Sequence, residues 1–185
     1  MVLNMSRVQT DNSFFQDKIE IRMKVLPDKD HIKVLDCYSG KGLIWDEIKN
    51  KSNQKIDVMR IEMKRQGSGV YLRGDNLKFI GALQLDVFDV IDLDAYGMPY
   101  EQLQLIFKKG YKGVICMTFG HVAYNQLPFD FLKDLGYSKK MIRKCPTLFC
   151  FNGQEKFLDW LALKGVKNVF IIKTLISYLA FQTCK

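Results

Sequence analysis

From Ile32 onward, short apolar runs alternate with longer stretches whose apolar residues recur at helical spacing. This rhythm predicts an α/β fold in which a parallel sheet is covered by helices. Strands are expected near 32–36, 56–62, 70–73, 88–93, 112–118, 166–173 and 175–182. Helices are expected at Leu43–Lys51, Asn76–Leu83, Pro99–Lys108, Phe129–Leu135 and Glu155–Lys164. Gly110, Gly136 and Gly165 stand where helices should stop, because glycine enters the left-handed region without steric cost. The segment Phe14–Leu26 can be read in two ways. Phe15, Ile19, Met23 and Leu26 suit a helix, whereas Ile19, Ile21, Met23 and Val25 alternate like a strand; we take the helix. Between Glu62 and Val70 only Met63 to Gly69 intervene, and parallel neighbours ordinarily need a crossover of about a dozen residues or more. The helix expected there is missing or reduced to one turn.

Composition narrows the class. At 185 residues the chain suits one domain spanning 1–185, with residues 1–31 as an N-terminal helical extension. Charged residues are 26% and hydrophobic residues 48%, which excludes intrinsic disorder. The apolar stretch Val169 to Phe181 is broken by Lys173, Thr174 and Ser177, so it reads as buried strands rather than a membrane span. Met1 to Asn12 holds no apolar core of signal-peptide type, and the expected location is the cytoplasm, away from membranes. Cys37, Cys116, Cys145, Cys150 and Cys184 are scattered without CxxC spacing. They indicate neither a metal site nor a disulfide framework and are expected to be small buried apolar residues. The formal charge of +8 favours polyanionic partners. Its densest cluster is Lys139, Lys140, Arg143 and Lys144, a candidate contact for nucleic acid.

Candidate chemistry concentrates after two of the strands. Val34-Leu35-Asp36-Cys37-Tyr38-Ser39-Gly40-Lys41-Gly42 runs from a strand into a glycine turn that can bring backbone N–H groups against a ligand. Asp36 closes the strand at the edge where open α/β sheets bind ligands. Ile44 and Trp45 occupy the place of the third glycine of G-x-G-x-x-G, so a pyrophosphate cradle is not expected, and Trp45 should obstruct close helix packing. Glu62, about twenty residues further on, ends the second strand where an acid can accept both ribose hydroxyls. Asp75, beside Asn76, can accept an adenine amine or cap the helix that begins at Leu77. After the strand near 88–93, Asp94, the Ala95 carbonyl and Tyr96 combine a carboxylate, a carbonyl and an aromatic ring. That set can hold and stack an exocyclic base amine. A loop with His121, Tyr124 and Asn125 can line a substrate pocket, and Phe149 to Gly153 and Phe14-Phe15 are read as core or lid.

The segment Asp36 to Gly42 resembles the first motif of class I S-adenosylmethionine (SAM) methyltransferases, in the D-x-F/Y-S/A-G-x-G version common among RNA and DNA methylases. Asp92 to Pro99 resembles the D/N-P-P-Y/F motif of amino methyltransferases. It is more similar to the D-L-D-P-F-G-S-P stretch of tRNA guanine N2-dimethyltransferases, matching five of eight positions with Ala95 in place of the first proline. The resemblance implies a Rossmann-like, seven-stranded, mostly parallel sheet whose last strand is antiparallel. It implies SAM as cofactor, held by Asp36, Tyr38, Ser39, Gly40, Gly42, Glu62, Asp75 and Asn76, with Asp94 and Tyr96 catalytic and no metal. The implied substrate is a nucleobase amino group, with RNA ahead of DNA as partner. Methylation of a protein or small molecule, or a non-catalytic SAM-binding subunit of a larger assembly or homo-oligomer, are the alternatives.

Overall fold

The computed structural model describes residues 14–64, 70–120, 127–145, 147–173 and 176–183. The reading of Met1 to Asn12, the loop with His121, Tyr124 and Asn125, most of the Met63 to Gly69 connection, and Cys184 lie outside them. In chain order the elements are α1 (Phe15–Lys24), β1 (His31–Asp36), α2 (Leu43–Lys51), β2 (Lys55–Glu62), β3 (Leu72–Arg73), α3 (Asn76–Ala82) and β4 (Val90–Leu93). These are followed by α4 (Tyr100–Lys108), β5 (Val114–Phe119), α5 (Phe129–Asp134), α6 (Lys139–Lys144), α7 (Leu148–Leu163), β6 (Val169–Lys173) and β7 (Ser177–Gln182). A 3-10 turn at Leu85–Val87 precedes β4.

The strands form one seven-stranded sheet in the order β3-β2-β1-β4-β5-β7-β6. Pairing from β3 across to β5 is parallel, and β7 runs antiparallel to both β5 and β6. The expected sheet is therefore present, including its antiparallel last strand. α1 is the helix chosen for Phe14–Leu26. Gly110, Gly136 and Gly165 follow α4, α5 and α7 with φ of 69°, 81° and 85°, as left-handed helix stops.

Alternation along the strands divides the core in two. Leu35, Ile91, Leu93, Ile115, Met117 and Phe119 face α3, α4, α5 and α7, where Leu103, Phe131, Phe149, Phe157 and Trp160 pack against them. Ile32, Val34, Val90, Val114 and Cys116 face the other way, toward Ile19 and Ile21 of α1 and Trp45 and Ile48 of α2. The same alternation puts Asp36, Asp92 and Thr118 on the α1–α2 face, and all three are buried. Arg22, itself 1% exposed, answers that charge. Its Nε and Nη2 donate to the two oxygens of Asp92 at 2.6 and 2.8 Å. From Phe14 onward, the described part of the segment read as an extension packs into the core.

Several expectations need correction. β3 is confined to Leu72–Arg73, shorter than the 70–73 expected, although it does pair in parallel with the end of β2. α7 begins at Leu148 instead of Glu155, and of the core-or-lid reading of Phe149 to Gly153 the core holds for Phe149 and Gly153, on a helix. Phe149 is fully buried in it and Phe151 is 84% exposed. α6 was not foreseen as a helix. β6 is a partly exposed edge strand, so only β7 of the Val169–Phe181 stretch is buried. Cys145 and Cys150 are exposed, while Cys37 and Cys116 are buried as expected. Among the described residues no helix is long and apolar enough to cross a membrane.

Removing one partner of a buried, bidentate ion pair leaves an uncompensated charge, at a cost of about 3–5 kcal/mol. Arg22→Met should therefore lower the denaturant midpoint sharply. Arg22→Met combined with Asp92→Leu should recover much of the loss. A single variant as stable as the parent in equilibrium urea unfolding would show that the pair contributes nothing.

Candidate functional site

The parallel strands β1, β2 and β4 end at one edge of the sheet, and the turns that follow them meet there. After Asp36 the chain makes a left-handed bend at Gly40 and Gly42, with φ of 49° and 75°. The bend is tied to β2 by Ser39, whose N–H and Oγ both donate to the Ile61 carbonyl at 3.2 Å. The Gly40 N–H donates to Glu62 Oε2 at 3.0 Å, and the Lys64 N–H donates to Oε1 of the same carboxylate. Glu62 is thus beside the glycine turn. Glycine is favoured at position 42 on two grounds, the first of which a shift of the Arg60 side chain would relieve. A Cβ there would lie 2.6 Å from the Arg60 guanidinium carbon, and the positive φ disfavours every L side chain. Arg60 holds the turn from outside, donating to the Gly42 carbonyl and pairing with Asp46.

α3 closes the site on the other side of the turn. Asp75 caps it by accepting the Leu77 N–H at 2.9 Å. Asn76 donates from Nδ2 to the Cys37 carbonyl at 3.1 Å and accepts from Gln102. The two readings of Asp75 are compatible, since capping engages one carboxylate oxygen. Tyr38 is partly buried, and burial pushes its phenol up to about 12, so it stays neutral at ordinary pH. Tyr96, 77% exposed, and Met63, 65% exposed, present large apolar surface at this edge.

Behind the turns sits the buried charge cluster. Asp92 takes the Arg22 pair and also accepts from Trp45 Nε1 at 2.7 Å. Trp45, expected to obstruct packing, instead turns its ring into the core and docks α2 on β4 through this bond. Asp36 is 5% exposed and accepts the Tyr38 N–H at 3.3 Å. Burial, then the neighbouring Asp92, pushes its carboxyl well above the usual range despite the pull of Arg22. Asp94 goes the other way. Burial alone would raise it, but Arg22, Lys18 and the Thr118 hydroxyl overcome that and hold it below the ordinary carboxyl value. Lys18 Nζ lies 3.0 Å from Asp94 Oδ2, and Arg22 Nη2 lies 3.7 Å from the same oxygen. Thr118 Oγ1 donates to Oδ1.

The structure therefore brings Asp36, Tyr38, Ser39, Gly40, Gly42, Glu62, Asp75 and Asn76 around one bend, with Asp94 and Tyr96 on the neighbouring strand end. The sequence reading missed Lys18, Arg22, Trp45 and Thr118, which hold the carboxylates. A separate cavity of about 730 Å³ between α4, α5 and α7, lined by Tyr100, Gln104, Asp130 and Lys164, includes none of the site residues.

Compared as a sequence, the chain matches no protein-family profile and no curated protein. Compared as a structure, it matches many solved proteins. A possible exported protein from Bordetella parapertussis superposes with a TM-score of 0.60 at 8% identity, over 92% of this chain and 67% of that one. A SAM-dependent methyltransferase from Archaeoglobus fulgidus gives 0.52 at 13% identity, over 90% and 93%. Phosphoethanolamine N-methyltransferase 2 from Haemonchus contortus, solved with SAM, gives 0.54 at 12% identity, over 86% of this chain but only 38% of that one. The chain shares its fold, a seven-stranded, mostly parallel sheet flanked by helices, with SAM-dependent methyltransferases.

The Asp36 shift has a measurable sign. An acid whose folded pKa is raised keeps its proton in the native state where the unfolded chain has lost it, so it subtracts stability as pH climbs above 3.8. Asp36→Asn should raise the melting temperature by several degrees at pH 8 and by much less at pH 4. An equal change at both pH values would contradict the shift. Asp94 acts in the opposite sense: its contribution is present above 3.8 and is lost on acidification.

Proposed function

We propose that this protein is a SAM-dependent methyltransferase whose acceptor is a nucleobase amino group, in RNA ahead of DNA. The single observation that supports it most is the bond from the Gly40 N–H to Glu62, which joins a left-handed glycine bend and a strand-end acid into one cradle. When bound, SAM supplies an electrophilic methyl group on a sulfonium sulfur. Glu62 would accept the ribose hydroxyls, and Asp75 and Asn76 would hold the adenine. Gly40 and Gly42 let the backbone approach closely, and Asp36 acts through the Tyr38 amide that it fixes. Glu62 and Asp75 put two carboxylates beside the glycine turn on a chain of net charge +8, which suits a cationic sulfonium.

Asp94, the Ala95 carbonyl and Tyr96 are then the acceptor side. Tyr96 offers an exposed ring for stacking. Asp94 and the carbonyl accept the two amine hydrogens, leaving the nitrogen lone pair aimed along the transfer axis. Positioning contributes most of the acceleration. The low pKa of Asp94 makes it an acceptor of hydrogen bonds more than a strong base, and the displaced proton passes on to water.

One observation favours a second reading, a SAM-binding subunit without turnover. Lys18, Arg22 and Thr118 already surround the Asp94 carboxylate, so a substrate amine must displace Lys18 to reach it.

Calorimetry with SAM tests the cofactor, and Glu62→Ala should weaken binding by about tenfold or more. Unchanged affinity would remove the cradle assignment. Methyl transfer to total RNA, DNA and protein fractions tests the acceptor. Asp94→Asn should abolish turnover with SAM affinity nearly intact, while Lys18→Met, which breaks the same ion pair but keeps the carboxylate, should retain or raise turnover. Loss of turnover in Lys18→Met equal to that in Asp94→Asn would favour the structural reading of the pair.

A further inference from the structure

α6 is a helix built against its own electrostatics. Its six residues, Lys139 to Lys144, include four cations, all exposed, with no acid in the first turn. Lys139 and Lys140 occupy the N-terminal end, where the helix dipole disfavours positive charge. Lys139 with Arg143 and Lys140 with Lys144 form two like-charged pairs at i,i+4, each weakly destabilising. None of the four makes an ion pair with a described residue, and the chain from Leu135 to Gln154 contains no Asp or Glu. The helix is held by other means. Ser138 caps it by accepting the Met141 N–H, and Met141 and Ile142 pack on the core. One turn later, Phe151 stands 84% exposed on the first turns of α7, an isolated aromatic ring on a cationic surface.

This surface belongs to the same edge as the acceptor turn. Thr118 bonds Asp94, and the next residue, Phe119, ends β5. Phe119 stacks on Phe149 of α7 at 5.6 Å, and Gln154 of α7 meets Ser177 at 3.3 Å, where β7 pairs with Phe119. A short series of direct contacts therefore leads from Asp94 to the start of α7, and α6 immediately precedes it. The start of α7 thus lies near the carboxyl end of β5, beside the strand end that carries Asp94.

We infer that α6 and the first turns of α7 form the docking surface for the phosphodiester backbone of a single-stranded nucleic acid, with Phe151 stacking on an unpaired base. The inference rests on the reading of this edge as a nucleobase-modifying site and supplies what that reading lacks, a hold on the strand outside the acidic cradle. Four unneutralised cations release counterions when phosphates replace them, and a lone exposed ring stacks on any base. The shared chemistry is the phosphodiester chain, which RNA and single-stranded DNA both carry.

The test is fluorescence anisotropy with a labelled single-stranded RNA, a matched DNA strand, and phosphatidylserine vesicles as a separate anionic surface, at several salt concentrations. The variant with Lys139, Lys140, Arg143 and Lys144 all changed to Gln should bind the strand about tenfold or more weakly. Its log–log salt slope should be flatter by about 0.7 per lost contact, roughly 3 in all. Phe151→Ala should weaken binding about tenfold with the slope unchanged. A control replaces Lys49, Lys55, Lys112 and Lys167, exposed cations near the opposite edge, with Gln and removes the same charge. Equal weakening by this control, an unchanged slope in the α6 variant, or capture of vesicles without nucleic acid would overturn the inference. RNA and DNA arms with equal affinity leave the backbone as the element read, and a preference for RNA adds the 2′-hydroxyl. Failure of the wild-type protein to bind SAM would sink the proposed function and leave this result standing. SAM binding without any effect of the α6 variant on nucleic acid would sink this inference alone.

Discussion

A single guanidinium makes the rest of this structure possible. Asp36, Asp92 and Asp94 lie at the ends of two adjacent central strands, and two of them are inside the core. Carboxylates so placed repel one another and lose most of their hydration, at several kcal/mol each. Arg22 reaches across from α1 and gives Asp92 two bonds, while its remaining charge lies near Asp94. Burial alone would favour a neutral guanidine, yet the carboxylates hold its pKa above the ordinary value, so it is charged at every pH at which the protein folds. Trp45 completes the set by donating to Asp92, so both helices on that face are pinned to the same carboxylate. α1 also carries Lys18 4 residues earlier, one helical turn away, which extends the same interaction to the acceptor turn.

This arrangement explains why acidic groups gather on one edge of a basic chain without opening it. Asp92 and Asp94 are neutralised from α1, burial favours the protonated form of Asp36, and the outward acids, Glu62 and Asp75, are satisfied by backbone N–H groups of the turns they stabilise. The acids therefore shape the loops before they meet any ligand. Gly42 shows the same economy: its missing side chain is the space in which the Arg60 guanidinium lies, and that guanidinium holds the loop from its solvent side.

Periodicity made the strands, the helices α1 to α5 and the order of the motifs legible, because each signal is contained within a dozen residues. α6 was hidden by its own charges, which masked Met141 and Ile142, the two residues that anchor it. The first turns of α7 were hidden because Asn152 and Gly153 are weak helix formers that interrupt the apolar spacing. Gly153 is instead a helical residue beneath the Phe149 ring, where a Cβ would lie 2.6 Å from the ring atoms. The glycine turn, Glu62 and the Asp94–Tyr96 turn could be found because each follows an apolar run. Arg22 could not, since its partner is 70 positions away. The available hint was an arginine and a lysine at i,i+4 on the otherwise apolar face of a helix, and periodicity counts such residues as exceptions rather than as signals.

β7 follows β6 in the sequence yet lies between β5 and β6 in the sheet. β5 is buried on both faces and apolar except for Thr118, and until β7 arrives its hydrogen-bonding groups have no antiparallel partner. As the ribosome releases the chain, that flank must wait through the synthesis of α5, α6, α7 and β6 before it is closed. A nascent polypeptide of this topology carries a long-lived sticky ledge, open to pairing with another copy or to shielding by a chaperone. Closing that flank waits on β7, which pairs with both β5 and β6.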